Sequence, residues 1–295
     1  QTIRRERKIC NCGMKNEYFN IANLLKSLYD IDVSMYDVTF LNKSFNKRMA
    51  EVHCSEAEEY CTLLEQNKNE GQIFLDSLQI SYSEFFRNSL TFSVLERIIL
   101  PSIILNKKKN KYKEIRVWSA ACASGQESYS LAMLFEELRN AGNSNFNYRI
   151  FATDSSDSQV IEATKGQYSA EAINNLTLKR IKLWFTNHLP AGRPGADTYT
   201  IKPELKEHID FSVFDLFSGQ FSSPPGSIFG DFDLVVCANL LFYYKPEYRK
   251  IILEKTTGCL ANIGYLITGE TERDILMNHN YNEVFPQSAI FQKNV

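Results

Sequence analysis

An excess of charge of either sign is missing from this 295-residue sequence, in which 33 Lys and Arg stand against 35 Asp and Glu for a formal net charge of −2. Nucleic-acid binding driven by bulk charge is excluded, because it rests on a large cationic excess or a concentrated basic face. A long apolar run is missing too. The longest, Ile98 to Leu105, is broken by Pro101 and Ser102, far short of the roughly 20 residues that span a bilayer. A soluble, cytoplasmic protein without direct membrane insertion is expected. Cysteines number only seven, and Cys54, Cys61, Cys122, Cys237 and Cys259 fall in apolar-periodic segments, where Cys packs as a small hydrophobe. Cys10 and Cys12 form a C-x-C pair with no second pair or His cluster beside it, so no metal is assigned. The fingerprint G-x-G-x-x-G is absent, which argues against a nicotinamide dehydrogenase.

What is present describes an ordinary globular chain, with 44% hydrophobic and 23% charged residues. At roughly 100 to 200 residues per domain, the length predicts about two domains. Residues 1–13 are basic without an apolar core, and the sequence from Met14 reads as a natural start, so residues 1–13 are expected to be an upstream extension.

Apolar residues recur at helical spacing at Ile21, Leu24, Leu25 and Leu28, at Leu41, Phe45, Met49 and Val52, and at Ala57, Tyr60, Cys61 and Leu64. An N-terminal all-helical domain over 14–88 is expected. Its second helix sets Lys43, Lys47 and Arg48 on the face away from Leu41 and Phe45. That face is either plainly solvated or a docking surface for an acidic partner. Phe92, Leu95 and Ile99 suggest a linking helix, and the lysine run from Lys107 to Lys113 reads as an exposed loop. From Ile115 the texture changes to strands alternating with helices, which predicts an α/β domain over 89–295 built on a parallel sheet wound on both faces. Strands are expected at Ile115–Ser119, Tyr148–Thr153, Phe211–Phe214, Asp233–Cys237 and Tyr265–Thr268. Between about 187 and 210, Pro190, Gly192, Pro194 and Gly195 precede Thr198 to Ile201, the pattern of an inserted β-hairpin.

Ligands of such sheets bind beyond the carboxyl ends of the strands, near the point where strand order reverses. After the first strand, Ser119 to Gly125 is a run of seven small residues. It lets the backbone turn closely around a nucleotide-like ligand, or else merely packs strand against helix. After the second comes Asp154, placed either to accept from ribose hydroxyls or to cap the next helix. Asp215 follows the third strand, and Ala238 to Tyr244 the fourth.

This series is the layout of an S-adenosylmethionine methyltransferase, and its motifs resemble the chemotaxis receptor methyltransferase (CheR) family. R-V-W-S-A-A-C-A-S-G-Q-E-S-Y-S at Arg116 to Ser130 is similar to the family's R-V-W-S-A-A-x-S-T-G-E-E-P-Y-S, and S-Y-S-E-F-F-R at Ser81 to Arg87 to N-x-T-x-F-F-R. C-A-N-L-L-F-Y-Y at Cys237 to Tyr244 resembles C-R-N-V-x-I-Y-F, and G-Y-L-I-T-G-E-T-E at Gly264 to Glu272 resembles G-G-x-L-x-x-G-x-S-E.

The resemblance implies a Rossmann-like, doubly wound class I methyltransferase sheet, an N-terminal all-helical domain and a small inserted antiparallel β-subdomain. It implies S-adenosylmethionine as cofactor, S-adenosylhomocysteine as product, and transfer to glutamate carboxylates of a membrane chemoreceptor. The cofactor positions by resemblance are Ser81, Ser83, Arg87, Ala121, Glu127, Asp154, Asp215, Leu216, Ala238 and Asn239. By the same resemblance Arg87 and Tyr243 would line the methyl-transfer site, although a structural ion pair and core packing are their plainer readings. A cytoplasmic receptor segment would dock on the helix of Lys43, Lys47 and Arg48, or add a strand to the β-subdomain, and the enzyme would act as a monomer. The sequence departs from the family at Ser81 for Asn, Ser83 for Thr, Asp215 for Asn and Ala238 for Arg. The Ala238 change removes a cation and leaves two other readings open: a methyltransferase turned to another protein or small-molecule carboxylate, or a scaffold that binds the cofactor without turnover.

Overall fold

The computed structural model describes residues 16–78, 82–109, 114–142, 146–188, 197–227, 230–279 and 281–293. Residues 1–13, Cys10, Cys12, Ser81, Lys111, Lys113 and the turn with Pro190, Gly192, Pro194 and Gly195 lie outside them. The chain divides into a helical unit and a sheet unit, and residues 243–248 group with the first.

The helical unit consists of α1 (Asn16–Tyr29), α2 (Val38–Glu51), α3 (Ala57–Gln66) and α4 (Glu70–Leu78). Asp37 starts α2 by accepting from the main-chain N–H groups of Thr39 and Phe40, at 2.9 and 3.3 Å, so two otherwise unbonded donors of the first turn are satisfied. Leu41, Phe45 and Met49 follow at intervals of one turn and are buried with Ile21, Leu25, Tyr60, Leu64 and Phe74. Residues 243–248 lie along this unit: the N–H of Asp37 donates to the Tyr243 carbonyl at 2.8 Å, and that of Lys245 to the Met35 carbonyl at 3.0 Å.

Within this unit Arg48 is not on the outward face expected from sequence. Its side chain is only 14% exposed and grips the buried Glu70 through Nε at 2.7 Å and Nη2 at 2.8 Å. The cause is α4, an unforeseen helix that brings Glu70 against the flank of α2. Lys43 and Lys47 are exposed.

The sheet unit opens with one continuous helical run made of α5 (Ser89–Val94), a π-helical turn (Leu95–Ile99) and α6 (Leu100–Lys109). By length and composition alone it is the one described helix that could cross a membrane, but Phe92, Leu95, Leu100 and Ile103 are spent in the core beneath the sheet. Of the lysines expected in a loop, Lys107, Lys108 and Lys109 close this helix instead. Cations are favoured at a helix C-terminus, and Lys107 also pairs with Asp233 at 2.9 Å.

The strands are β1 (Ile115–Ala120), β2 (Tyr148–Asp154), β3 (Gln167–Ser169), β4 (Phe185–His188), β5 (Thr198–Ile201), β6 (Ile209–Val213), β7 (Phe232–Val236), β8 (Leu260–Ile267), β9 (Tyr281–Glu283) and β10 (Ile290–Lys293). Seven form the large sheet in the order β6-β2-β1-β7-β8-β10-β9. Its first five are parallel, and β10 runs antiparallel to both β8 and β9. Between the strands run α7 (Gln126–Gly142), α8 (Asp157–Lys165), α9 (Leu178–Trp184), α10 (Pro203–Lys206), α11 (Pro246–Gly258) and α12 (Arg273–Met277). Strand order reverses between β1 and β7, so the loops leaving these two strands flank the switch point. The parallel strands read as nearly continuous apolar runs because both faces are covered. Trp118, Ile150, Leu234 and Val235 are fully buried.

The hairpin expected over 187–210 takes a different form. β4 and β5 pair antiparallel, β3 adds a third strand on the other side of β5, and Ile209–Val213 belongs to the large sheet. A three-residue strand such as β3 carries too little alternation to be read from sequence.

Candidate active site

The turn after β1 is held in a shape that alanine rarely adopts. Ala121 and Ala123 have φ of 58° and 47°, and Gly125 follows at 91°. For an L-residue the left-handed region costs roughly 1–2 kcal/mol, and surrounding bonds must offset that. The Cys122 N–H donates to the Thr153 carbonyl at 2.9 Å, and the Ala123 N–H to Asp154 Oδ2 at 2.9 Å. At Gly125 the φ of 91° would strain any L side chain, and a Cβ would also crowd Ala163 Cβ at 3.0 Å.

Asp154 therefore does something neither of its two expected roles included: it clamps the turn. Its other oxygen accepts from the Ser156 N–H at 3.0 Å, and Ser156 itself, not Asp154, caps α8. Burial pushes the Asp154 carboxyl up, while the amides of Ser156, Ala123 and Ser155 pull it down. A carboxylate offers about four lone-pair positions, so acceptor capacity is left for hydroxyl donors.

Glu127 stands in the first turn of α7, where the helix dipole favours an anion. Its Oε1 accepts from Ser119 Oγ at 2.8 Å. Burial drives its carboxyl up to about 7, opposed by the Ser119 bond and by the cation of Arg87, and reinforced by the charge of Glu272. Arg87 donates from Nη1 to the Tyr82 carbonyl at 3.1 Å, and its guanidinium lies 5.1 Å from the centre of the Tyr82 ring. Phe86 and Asn88 on either side of it have φ of 52° and 63°, a strained backbone around a single cation.

The loop after β7 contains half-buried Ala238 and Asn239, the latter at φ 60°. It is tied to the end of β8 by Glu272, a residue that the motif comparison contained but to which the sequence assigned no role. Glu272 is fully buried and accepts from the N–H groups of Asn239 and Leu241, at 2.8 and 2.6 Å. Main-chain amides carry no residue-type signature, so the periodicity of the chain could not have revealed this.

The sheet unit thus gathers Arg87, Ala121, Glu127, Asp154 and Asn239 on the loops and helix starts around the carboxyl ends of its central strands. Ser83 is half-buried and lies four residues before Arg87. Asp215 is exposed and turns Oδ1 onto the Phe217 N–H at 2.8 Å, while Leu216 beside it is buried. Tyr243 is grouped differently: it belongs to the helical unit, its ring 4.9 Å from that of Phe40 in an edge-on contact. A cavity of about 370 Å³ lined by Ile103, Lys107, Asp233 and Tyr265 lies at the amino end of β7, away from these groups. Among the described residues no cluster of three or more His, Cys, Asp or Glu could hold a metal ion.

Residues 81–290 match the CheR methyltransferase SAM binding domain, and residues 16–78 the CheR methyltransferase all-alpha domain. The chain belongs to the CheR methyltransferase family. Its relatives include a chemotaxis protein methyltransferase of Borreliella burgdorferi, 28% identical over 95% of both chains. Chemotaxis protein methyltransferase 1 of Pseudomonas aeruginosa is 33% identical over 68% of this chain and 69% of its own. A chemotaxis protein methyltransferase of Escherichia coli is 28% identical over 77% of this chain and 73% of its own. A solved magnesium protoporphyrin IX methyltransferase from Synechocystis superposes with a TM-score of only 0.30 at 15% identity, over 69% of this chain and 77% of that one, too slight a likeness to weigh. As a CheR methyltransferase the chain uses S-adenosylmethionine, and the groups around the switch point suit it. Two carboxylates can receive an ammonium and ribose hydroxyls, and a tight small-residue turn leaves room for the backbone to approach.

Proposed function

We propose that this CheR methyltransferase transfers methyl groups to glutamate side chains of chemotaxis receptors, giving γ-glutamyl methyl esters and S-adenosylhomocysteine. The observation that carries the reading is the match to both CheR domains along nearly the whole described chain, with relatives named chemotaxis protein methyltransferase. When bound, the cofactor supplies an electrophilic sulfonium methyl group.

The chain's own residues then have a short task. A glutamate with an ordinary pKa near 4.3 is already ionised at neutral pH, so no base is needed to make the nucleophile. Arg87 pairs with the acceptor carboxylate and aligns one oxygen, and it releases the neutral ester because the charge it held is gone. Glu127 and Asp154 hold the cationic amino group and the ribose hydroxyls, Asp215 and Leu216 border the adenine, and Ser81, Ser83, Ala121, Ala238 and Asn239 complete the cofactor's surroundings. Lys43 and Lys47, exposed on α2, dock an acidic receptor segment through a salt-sensitive attraction. A receptor tail adds a strand to the small sheet along β4, one of its edge strands among the described residues. The methylated segment of such a receptor faces the cytoplasm, where this protein would act as a monomer.

Incubation with methyl-labelled S-adenosylmethionine and receptor-bearing membranes, followed by alkali, tests the reading. Volatile labelled methanol is expected; label that withstands alkali overturns carboxyl methylation. Arg87→Ala should lower turnover by on the order of a hundredfold or more, the scale of a lost charge-assisted alignment, with cofactor affinity within a few-fold. Unchanged turnover would remove Arg87 from the mechanism.

A further inference from the structure

Glu272 is one of two fully buried carboxylates among the described residues, and unlike the other, Glu70, it takes its bonds from neutral donors alone. Oε2 accepts from the N–H of Asn239 at 2.8 Å, the N–H of Gly269 at 2.8 Å and Thr268 Oγ1 at 2.7 Å. Oε1 accepts from the N–H of Leu241 at 2.6 Å and, more weakly, from that of Phe242 at 3.4 Å. These five neutral donors come from two separate loops, the one leaving β7 and the one leaving β8. Water is excluded, and one carboxylate satisfies the first amides of the 3-10 turn Leu241–Tyr243 together with the amide of Gly269, which caps the 3-10 turn Glu270–Glu272.

The packing leaves no slack. A Cβ at Gly269 would come within 2.9 Å of Asn239 Oδ1 and of Glu272 Oε2, and within 3.0 Å of the Asn239 amide nitrogen. Asn239 meanwhile holds φ at 60°, a conformation Asn tolerates but that persists only when neighbours enforce it. Glu272 is the neighbour that receives its N–H. The charge of Glu272 also reaches Glu127 and raises its carboxyl, so the buried anchor is in electrostatic range of a cofactor-facing group.

We propose that Glu272 is the positioning residue of the methyl-transfer site: it fixes the backbone from Asn239 to Phe242 in the conformation that receives the cofactor. The proposal rests on the methyltransferase reading above. Neither conservative replacement can do the same. Gln turns an N–H₂ group toward a cluster composed of donors, and Asp withdraws the carboxylate by one methylene.

The test compares Glu272→Gln and Gly269→Ala with the unmodified protein. Amide hydrogen exchange, read without cofactor, should show the N–H groups of Asn239 and Leu241 exchanging at least tenfold faster in both variants while the central strand β1 keeps its protection. S-adenosylhomocysteine affinity, read by calorimetry, should weaken at least tenfold. The pH profile of that affinity separates positioning from plain loss of structure. Glu127 is faced by Ser119 and by the charges of Arg87 and Glu272, with the Cys122 and Cys237 thiols in range. Glu272→Gln removes one anion, so the midpoint near which binding tightens with rising pH should move down, whereas Gly269→Ala, which keeps the anion, should leave the midpoint in place. Wild-type exchange and affinity in both folded variants would overturn the proposal. If Glu272→Gln does not fold, Gly269→Ala decides alone: wild-type exchange at Asn239 sinks the idea and tenfold faster exchange upholds it. A protein that binds S-adenosylhomocysteine but transfers no methyl group to receptors overturns the function proposed above, and the binding and exchange measurements still decide the role of Glu272.

Discussion

In the helical unit the buried glutamate is Glu70, which takes two bonds from the Arg48 guanidinium and one from the Tyr60 hydroxyl at 2.8 Å. In the sheet unit it is Glu272, which takes its bonds from main-chain amides and one threonine hydroxyl. Both carboxylates are shut away from water, at 1% and 0% exposure, yet they answer different needs. Glu70 and Arg48 are side chains that neutralise one another, so they concern the stability of a small bundle and could be exchanged together. The amides around Glu272 cannot be exchanged by any substitution. They belong to the path of the chain, and what Glu272 governs is where that path runs.

Breaking the first arrangement should produce the largest loss. Arg48→Ala leaves Glu70 buried and uncompensated, a change that costs roughly 3–5 kcal/mol in comparable sites. Calorimetric unfolding should show an early transition for the helical unit with S-adenosylhomocysteine affinity unaltered. Loss of affinity in step with stability would erase the contrast between the two units.

Acid should act on the same pair with a definite sign. Burial raises the Glu70 carboxyl, but the bonds from Arg48 and Tyr60 outweigh it and bring it below its ordinary value. A depressed carboxyl contributes stability that is present above the unfolded value of about 4.3 and fades as pH falls through the folded one. The helical unit should therefore lose melting temperature as pH falls below the unfolded value of about 4.3, and Glu70→Gln should flatten that slope. Glu127, held up near 7, behaves oppositely: its ionised form, which suits a cationic ligand, gains ground only as pH rises through that value. Cofactor binding should tighten across the neutral range and lose this dependence in Glu127→Gln.

Thr268→Val removes one of the Glu272 donors. A single neutral hydrogen bond is worth about 1 kcal/mol, so a drop in melting temperature of a few degrees is expected with most of the activity kept. The smallest effect belongs to the joint replacement Arg48→Met, Tyr60→Phe and Glu70→Leu. Apolar substitution of a whole buried ionic set is often neutral or even stabilising, and near-native melting is expected. Collapse of the fold in that variant would show that Glu70 also specifies structure.

Much of the sheet unit was legible because its grammar is local. The alternation of apolar strands with amphipathic helices marked β1, β2, β6, β7 and β8, and the run of small residues at Ser119–Gly125 marked the turn at the switch point. Arg48 was misread because its partner lies 22 residues away on a helix that the pattern did not signal. Glycine at 71 and short polar stretches on both sides concealed α4. The antiparallel pair β9 and β10 and the third strand of the small sheet span only three or four residues each, too few for a period to register. Glu272 was visible as a letter in a motif, but its purpose is written in backbone amides brought together by the fold.

The alanines at 121 and 123 carry a consequence for the rate at which the ligand is met. Glycine at those positions would let the turn wander among many shapes before and after each encounter. Alanine, once forced into the left-handed region in a turn that Asp154 pins through the Ala123 N–H, has far fewer alternatives to visit, so the receiving surface is set before anything arrives. Stopped-flow traces of cofactor binding should then show a single phase at this turn, rising in proportion to ligand concentration, with no slow ordering step behind it.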